Sequence, residues 1–291
     1  MPVQSPPPGA AWDIPRISAE ECARFAGLIR DQTGIHLRAN KGPLLVARLS
    51  RRLKDLKLKS FSDYYRFLEN DTSGEELLTL INKITTNKTS FFREPHHFEF
   101  IRSRLLPELQ RAGRRNVRIW SAGCSSGEEP YSIAITLMEA LGSHSSWDIR
   151  ILATDIDSEV LERASAGRYP MESLDEMETE LKRKYFLRWY GELEGLVEVR
   201  PRLRRMICFR RLNFIQSDWH VGDRFDIVFC RNVIIYFQQP VQERIVRGLA
   251  AHLRPEGYYF SGHSENLHYL RDTLNIIEPS IYQLKTGESG R

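Results

Sequence analysis

The sequence predicts an α/β protein in which a small all-helical domain precedes a doubly wound parallel sheet. Two patterns predict this fold class. Apolar residues recur at helical spacing up to about residue 85, whereas short β-rich runs alternate with helical segments from residue 117 onward. Such alternation is typical of a parallel sheet that is covered by helices on both faces. The 291 residues are enough for one large domain and one small domain.

Helical patterns define the N-terminal domain, which is predicted over residues 16–85. Residues 1–15 contain five prolines and few apolar residues, which predicts a disordered tail. Ser18 and Glu21 fit a capping box that starts the first helix, and Thr33 with Gly34 ends it. Further helices are predicted over residues 43–56, 61–68 and 74–84, and residues 86–116 are predicted to form a linker and a connecting helix.

The sheet is predicted within a second domain over residues 117–291. Its strands are expected at residues 117–121, 149–154, 206–213, 225–230 and 257–261, with a closing hairpin at 274–278 and 281–285 that adds antiparallel pairing. Helices are expected at residues 128–141, 158–164, 172–190 and 241–253. Alternating residues before an arginine-rich stretch predict a small antiparallel β insertion at about residues 191–205, and the alternative is a solvated loop.

Composition is that of a folded protein and disfavours several functional classes. Hydrophobic residues make up 41% and charged residues 27%, and no apolar run reaches the ~20 residues that span a bilayer. The four cysteines lack a CxxC pair, so neither a zinc ribbon nor a disulfide framework is expected. A net charge of +4 does not by itself indicate a nucleic-acid partner. We therefore expect a cytoplasmic protein with reduced thiols and no direct membrane insertion.

The loop after the first predicted strand indicates the kind of ligand. Gly123 and Gly127 allow a ligand to approach the backbone closely where the strand passes into a helix. The loop is neither GxGxxG nor a Walker motif, and Glu128 and Glu129 at the helix start would repel a pyrophosphate. A cationic or zwitterionic ligand such as S-adenosylmethionine fits better. The alternative is a tight turn with helix-capping glutamates.

Polar residues near other predicted elements extend this candidate site. Asp155 follows the second strand, where a carboxylate can accept hydrogen bonds from both hydroxyls of a ribose, and Asp157 is expected to cap the next helix. After the strand at residues 225–230, the apolar run gives way to polar residues at the mouth of the sheet. Residues 85–94 form a further polar stretch, which is either a ligand site at the domain junction or a helix-capping linker.

Spacing disfavours two other chemistries. His263, Ser264 and Glu265 lack the GxSxG nucleophile elbow of a hydrolase, and loop structure is predicted around them. His96 and His97 lack the HExxH spacing of a zinc site, so no metal is expected.

Four blocks of sequence, in this order, resemble the family of chemotaxis receptor methyltransferases. They are TTNKTSFFREPHH at residues 85–97, WSAGCSSGEEPYS at 120–132, ATDIDSEVL at 153–161 and FDIVFCRNVIIYF at 225–237, supported by GHSENL at 262–267. The resemblance, over roughly residues 18–286, implies a Rossmann-like methyltransferase sheet. It also implies methyl transfer from S-adenosylmethionine to glutamate carboxylates of chemoreceptors, which yields methyl esters and S-adenosylhomocysteine for sensory adaptation. A carboxylate with a pKa of about 4.3 is already ionised at neutral pH, so catalysis requires alignment rather than a general base.

The resemblance also implies roles for single residues. The methyl donor would be bound by Gly123 of the glycine loop together with Asn87, Thr89, Arg93, Glu129, Asp155, Asn213, Phe214, Asn232 and Val233. Arg93 would hold the methionine carboxylate and Asp155 the ribose. Asn213 and Phe214 would contact the adenine. Arg93 and Tyr236 are the candidates for orienting the incoming carboxylate, although Tyr236 is equally compatible with packing.

The expected partner is the cytoplasmic helical region of transmembrane chemoreceptors, which a monomeric enzyme would approach through its helical domain. In the predicted helix at residues 43–56, the apolar stripe comprises Leu45, Leu49, Leu53 and Leu56. The basic surface that we expect to dock the receptor comprises Arg48, Arg51, Arg52 and Lys54. Such a surface would steer an acidic receptor helix, and the alternative is a plain solvated face. Some family members grip a receptor tether with the β insertion, but here the bulky Trp189 and Tyr190 depart from that pattern.

Two alternative functions remain open. Basic stretches near residues 48–59 and 200–211 suggest a nucleic-acid methyltransferase, although residues 231–233 lack the Asn-Pro-Pro-Tyr loop of enzymes that methylate DNA amino groups. The other alternative is a ligand-binding adaptor without catalysis. Transfer of a labelled methyl group to protein, to nucleic acid or to neither distinguishes the three.

Overall fold

The computed structural model describes residues 15–37, 41–142, 146–189, 191, 194–222 and 224–285. The predicted tail therefore lies outside the described residues, except for Pro15. The chain separates into two compact units, of which the first contains the residues up to 32 and residues 36–84, and the second contains residues 33–35 and the chain from residue 85 onward. Among the residues described, no helix is long and apolar enough to cross a membrane.

The first unit is built from α1 (Ala19–Thr33), α2 (Gly42–Asp55), α3 (Phe61–Asn70) and α4 (Glu75–Ile84). This confirms the predicted all-helical N-terminal region. The capping box at its start is also confirmed, since the Ser18 amide donates to Glu21 Oε2 at 2.8 Å and the Glu21 amide donates to Ser18 Oγ at 3.1 Å. Leu45, Leu49 and Leu53 are fully buried, so the predicted apolar stripe faces the core of the unit.

The second unit contains a connecting helix, formed by α5 (His96–Phe100), a π-helical turn (Ile101–Leu105) and α6 (Leu106–Arg111). Further helices are α7 (Glu128–Leu141), α8 (Ser158–Ala166), α9 (Thr179–Tyr185), α10 (Pro201–Arg204) and α11 (Gln239–Ala251). The strands are β1 (Asn116–Ala122), β2 (Asp148–Asp155), β3 (Arg168–Pro170), β4 (Phe186–Arg188), β5 (Leu196–Val199), β6 (Ile207–Arg211), β7 (Phe225–Cys230), β8 (Leu253–Ser261), β9 (Leu274–Glu278) and β10 (Ile281–Leu284).

Within the described part of the chain, a seven-stranded sheet has the order β6-β2-β1-β7-β8-β10-β9. The first five of these strands run parallel, and the hairpin of β9 and β10 adds antiparallel pairing. The predicted doubly wound sheet and its closing hairpin are therefore confirmed. Both faces are covered, because Ile119 packs into one hydrophobic cluster with α7 and the next residue, Trp120, packs into another with α11.

The predicted continuous helix at residues 172–190 is wrong. In its place, a 3₁₀ turn and α9 lead directly into β4, which pairs with β5 in a small antiparallel sheet of order β3-β5-β4. Tyr185 and Phe186 are buried at this junction, so strand pairing and burial override the local helical pattern. The small sheet confirms an antiparallel insertion, but only β5 lies within the predicted residues 191–205. Tyr190 lies outside the described residues.

Candidate functional site

The carboxyl ends of β1, β2 and β7 lie side by side, because β1 pairs in parallel with both neighbours. Ligands bind at this edge of open parallel sheets. Just after β1, Gly123 has φ +90°, and a Cβ atom there would lie 2.3 Å from Cγ2 of Val233. The amides of Gly123 and Cys124 both donate to the Thr154 carbonyl, at 2.7 and 2.9 Å. Glycine is therefore required in this loop, which brings together two residues predicted to bind the donor.

Asp155 ends β2 as a buried carboxylate. Its Oδ2 accepts from the Ser125 amide at 2.8 Å, and its Oδ1 accepts from the Asp157 amide at 3.0 Å. Burial raises the pKa of Asp155 to about 6. Because each carboxylate oxygen has two acceptor sites, the side chain is held in place and retains capacity to accept from hydroxyl groups of a ligand.

A second carboxylate, Asp157, ties the polar segment at residues 85–94 to the sheet. Its Oδ1 accepts from two amides in the first turn of α8, at 2.9 and 3.3 Å, which confirms the predicted helix cap. Its Oδ2 accepts from Thr85 Oγ1 and from Asn87 Nδ2, both at 2.7 Å. Ser125 Oγ also donates to the Asn87 carbonyl at 3.0 Å. Asn87, which is predicted to bind the donor, is thus held beside the loop that carries Ser125.

The sequence does not predict the buried ion-pair network that follows β7. Arg231 contacts Glu129 Oε2 through Nη1 at 3.0 Å and Glu94 Oε2 through Nη2 at 3.4 Å. Its Nη2 also donates to the Arg93 carbonyl. These contacts join the end of β7 to the start of α7 and to the segment before α5. One sequence signal points to the network, since a charged residue directly follows the apolar run at residues 227–230.

The sequence predicts only loop structure around Glu265, whereas the structure shows a clamp on backbone amides. Oε1 accepts from the amides of Val233 and Ile234 at 2.8 and 2.9 Å, and Oε2 accepts from those of Asn232 and Gly262 at 2.9 and 2.7 Å. Asn232 has a left-handed φ of +58°, so this carboxylate holds a strained turn that carries two predicted donor-binding residues. Most of its partners are distant in the chain, and sequence spacing gives no sign of them.

Asn213 and Phe214 follow a backbone contact at the end of β2. The Leu212 amide donates to the Asp155 carbonyl at 2.8 Å, which holds the following residues near this strand end. The Phe214 ring is buried and packs edge-on against Trp219, with ring centroids 5.5 Å apart. Part of its role is therefore structural, and its contact with adenine stays a prediction.

The two candidates for orienting the incoming carboxylate are half-buried, as is Thr89. Arg93 Nη1 donates to the Lys88 carbonyl at 3.2 Å, so the guanidinium folds back over its own segment. Tyr236 lies in a 3₁₀ turn and packs against the hydrophobic cluster that contains Trp120. Packing is thus one role of Tyr236, and an orienting role for either residue stays a prediction.

Arg52 of α2 has a structural role in the helical unit. It donates from Nε to Glu76 Oε1 at 3.0 Å and from Nη2 to the other oxygen of Glu76. Glu76 is buried and also accepts from the Tyr64 hydroxyl at 2.7 Å. Removal of its charge would leave a buried carboxylate without this partner, so Arg52 has a structural role, and its part in receptor docking stays a prediction.

The other members of the predicted basic surface differ in exposure. Arg48 is half-buried and donates to the Lys83 carbonyl at 3.3 Å, whereas Arg51 and Lys54 are exposed. Leu56, which was expected to complete the apolar stripe, lies at the C-cap of α2 and is only half-buried. Arg51 and Lys54 are therefore the members of the set that are best placed to meet a partner.

His96 and His97 both contact the Ser280 hydroxyl, through Nε2 at 3.0 and 2.9 Å. Among the residues that the structure describes, no group of three or more histidine, cysteine, aspartate or glutamate side chains is arranged to hold a metal ion.

Comparison with known proteins gives matches along nearly the whole chain. A family model described as "CheR methyltransferase, all-alpha domain" matches residues 20–85, and one described as "CheR methyltransferase, SAM binding domain" matches residues 87–282. Chemotaxis protein methyltransferase 2 of Pseudomonas aeruginosa is 41% identical, over 97% of this chain and 99% of its own length. The chemotaxis protein methyltransferase of Klebsiella aerogenes is 42% identical, over 90% of this chain and 88% of its own length.

Proposed function

The chain belongs to the CheR methyltransferase family, and we propose that it methylates glutamate side chains in the cytoplasmic helical region of chemotaxis receptors. S-adenosylmethionine would be the methyl donor, and the products would be a glutamate methyl ester and S-adenosylhomocysteine, for sensory adaptation. The observation that carries the proposal is the acidic, glycine-bordered edge of the sheet at Gly123, Glu129 and Asp155. The match of the family over both units supports the same activity for this chain.

The residues at this edge suit the proposed donor, which carries a sulfonium and an α-ammonium group and no phosphate. Glu129 offers a largely buried carboxylate to a cationic group, and Asp155 offers acceptors to ribose hydroxyls. The missing side chain at Gly123 lets a ligand approach the backbone. When bound, the donor supplies a methyl group activated by its positively charged sulfur. We expect the rest of its site to be formed by Asn87, Thr89, Arg93, Asn213, Phe214, Asn232 and Val233.

The residues of this chain would act by alignment rather than by proton transfer. A glutamate carboxylate with a pKa of about 4.3 is ionised at neutral pH and needs no general base. Arg93 or Tyr236 would orient it by a hydrogen bond. Holding it in line with the methyl carbon would contribute on the order of 7–11 kcal/mol as effective concentration.

Transfer of a tritiated methyl group tests the proposed function. The full chain is incubated with labelled donor and receptor-containing membranes, and the labelled receptor is then treated with alkali, which releases methanol from a methyl ester. A receptor whose candidate glutamates are replaced by glutamine is the control and should stay unlabelled. Label on nucleic acid would instead support the first alternative function, and donor binding without any transfer would support the adaptor.

Asp155→Ala is expected to weaken donor binding by about 1.5–3 kcal/mol, because a charge-assisted contact to the ribose is lost. The parent affinity should also decrease as pH falls through about 6, where protonation removes acceptor capacity from Asp155, and the decrease should be smaller in the variant. Calorimetry measures both effects. Asp148→Ala, at the exposed opposite end of β2, is the matched control. Parental affinity in Asp155→Ala would remove this residue from the site.

Reversing the two exposed charges of α2, with Arg51→Glu and Lys54→Glu together, is expected to slow receptor methylation roughly three- to tenfold at low salt. The reason is loss of steering toward an acidic receptor helix, and donor binding should stay at the parental value. Initial rates at several salt concentrations measure the effect, and rising salt should slow the parent enzyme in the same way. The control changes the same charge at exposed positions of α1 and α3, with Arg30→Glu and Arg66→Glu. Equal slowing in both double variants would leave α2 with no special docking role.

A further inference from the structure

The network around Arg231 fixes the orientation of Glu129. The side chains of Arg231, Glu129 and Glu94 are only 3%, 12% and 8% exposed. One oxygen of Glu129 is contacted by Arg231 at 3.0 Å, and the other accepts from Ser121 Oγ at 2.7 Å. Glu129 also lies in the first turn of α7, where the helix dipole favours a negative charge. The carboxylate is thus held at the carboxyl edge of the sheet by contacts on both of its oxygens.

The network places one guanidinium against two carboxyl groups, since Arg231 contacts both Glu94 and Glu129. His97 Nδ1 lies 3.6 Å from Glu94, but burial and the charge of Arg231 lower the pKa of His97 to about 2, so it adds no positive charge. A buried site with an excess of negative charge favours a cationic ligand group.

Among the described residues, the neighbouring thiols and His96 do not supply a balancing positive charge. The thiols of Cys124 and Cys230 interact with Glu129, and burial raises the pKa of both well above the ordinary value, so they stay neutral. On the side of Glu94 and Arg231 lie His96 and His263, and burial with the neighbouring His263 lowers the pKa of His96. A cationic ligand group therefore remains the natural partner of Glu129.

We propose that Arg231 is a positioning residue for the methyl donor, which aims Glu129 so that this carboxylate receives the α-ammonium group of the donor. The proposal rests on the proposed function for the identity of the donor. Arg231 itself would not touch the donor. It would act through Glu129, as the cation that compensates the cost of burying this charge.

Removal of the guanidinium has a predictable effect on protonation. Burial raises the pKa of Glu129, and Arg231 is the largest influence that opposes this rise. Without Arg231, Glu129 would take up a proton at higher pH, because burial and the neighbouring Glu94 would raise its pKa with less opposition. A protonated Glu129 cannot form a charge-assisted bond with an ammonium group. Affinity for the amino-acid end of the donor would then be low at neutral pH and would increase with rising pH.

The experiment compares two ligands that share the adenosine part. S-adenosylhomocysteine carries the amino-acid arm, whereas 5′-methylthioadenosine lacks it. Calorimetry on the full chain, from mildly acidic to mildly alkaline pH, gives the affinity ratio, which is the affinity for S-adenosylhomocysteine divided by that for 5′-methylthioadenosine. Titration of Asp155 affects both ligands through the ribose and cancels in this ratio. The variants are Arg231→Met, Arg231→Lys and Arg114→Met, the last of which breaks a partly buried ion pair with Asp226 near the opposite end of β7.

In Arg231→Met, we expect the affinity ratio to fall about tenfold to a hundredfold at neutral pH and to recover as pH rises. Methylthioadenosine should bind as in the parent, Arg231→Lys should restore much of the ratio, and Arg114→Met should leave it unchanged. Equal loss of both ligands at every pH, or an unchanged ratio, would overturn the proposal, because Arg231 would then be purely structural or irrelevant.

Two further results have a defined interpretation, namely a variant that does not fold and a parent chain that does not bind the ligand. If Arg231→Met does not fold, Glu94→Gln is measured instead, and its loss of negative charge should move the pH dependence of the ratio to lower pH. An unchanged pH dependence in that variant would overturn the proposal. Failure of the parent chain to bind S-adenosylhomocysteine would instead contradict the proposed donor, and donor binding without carboxylate methylation would contradict only the proposed acceptor.

Discussion

Glu265→Gln is expected to lower the free energy of unfolding by about 3–5 kcal/mol, although the two side chains have nearly the same shape. The carboxylate of Glu265 accepts from four backbone amides, two on each oxygen. Glutamine replaces one oxygen by an amino group, which is only a donor, so two of the four backbone amides would lose their acceptor and face another donor. The strained turn at Asn232 would then lose half of its support.

Urea denaturation of parent and variant, followed by circular dichroism, measures this effect. Glu278→Gln makes the same chemical change at an exposed position of β9 and should alter stability by less than about 0.5 kcal/mol. A Glu265→Gln variant as stable as this control would show that the clamp contributes little to the folded state. The assignment of Glu265 as the residue that holds residues 232–234 would then be abandoned.

Arg93→Ala is expected to reduce turnover about 10²- to 10³-fold while the melting temperature changes little. The side chain is half-buried and its resolved polar contact is with the Lys88 carbonyl in its own segment. The network around Arg231 uses only the backbone carbonyl of Arg93, which alanine retains. The loss should therefore fall on alignment of donor or acceptor rather than on folding.

Labelled methyl transfer and thermal melting of the same preparation separate these two roles. Arg102→Ala, which removes an exposed arginine paired with Glu99, is the matched control and should keep the parental rate. If Arg93→Ala instead melts far below the parent but retains full residual activity, Arg93 is structural. If the affinity of Arg93→Ala for S-adenosylhomocysteine falls by the same factor as its turnover, Arg93 acts on the donor carboxylate rather than on the incoming glutamate.

Elements whose signals are local could be predicted from the sequence. The capping box of Ser18 and Glu21 and the stripe of Leu45, Leu49 and Leu53 both act within one or a few turns of a helix. The prediction of a continuous helix over residues 172–190 was wrong for the opposite reason. The pairing of β4 with β5 depends on residues outside that window, and it converts the end of a helical pattern into a strand.

The candidate site shows the same division. The positions of Gly123 and Asp155 at strand ends follow from alternation of strands and helices, and the cap at Asp157 follows from its place before α8. The contacts of Arg231 and most of those of Glu265 do not, because each joins segments that only the completed sheet brings together. The ion pair of Arg52 with the buried carboxylate of Glu76 likewise joins two different helices, and it has no local signal in the sequence.

The separation of site partners along the chain has a consequence for folding. Thr85 lies 72 residues from Asp157, Arg231 lies 102 residues from Glu129, and Arg231 lies 137 residues from Glu94. Contacts of such high sequence separation close large loops and form slowly. A nascent chain would therefore lack the candidate site until β7, β8 and the clamp at Glu265 had been synthesised and joined to the sheet. Donor present during refolding should therefore stabilise only the fully assembled state, because only that state can bind it.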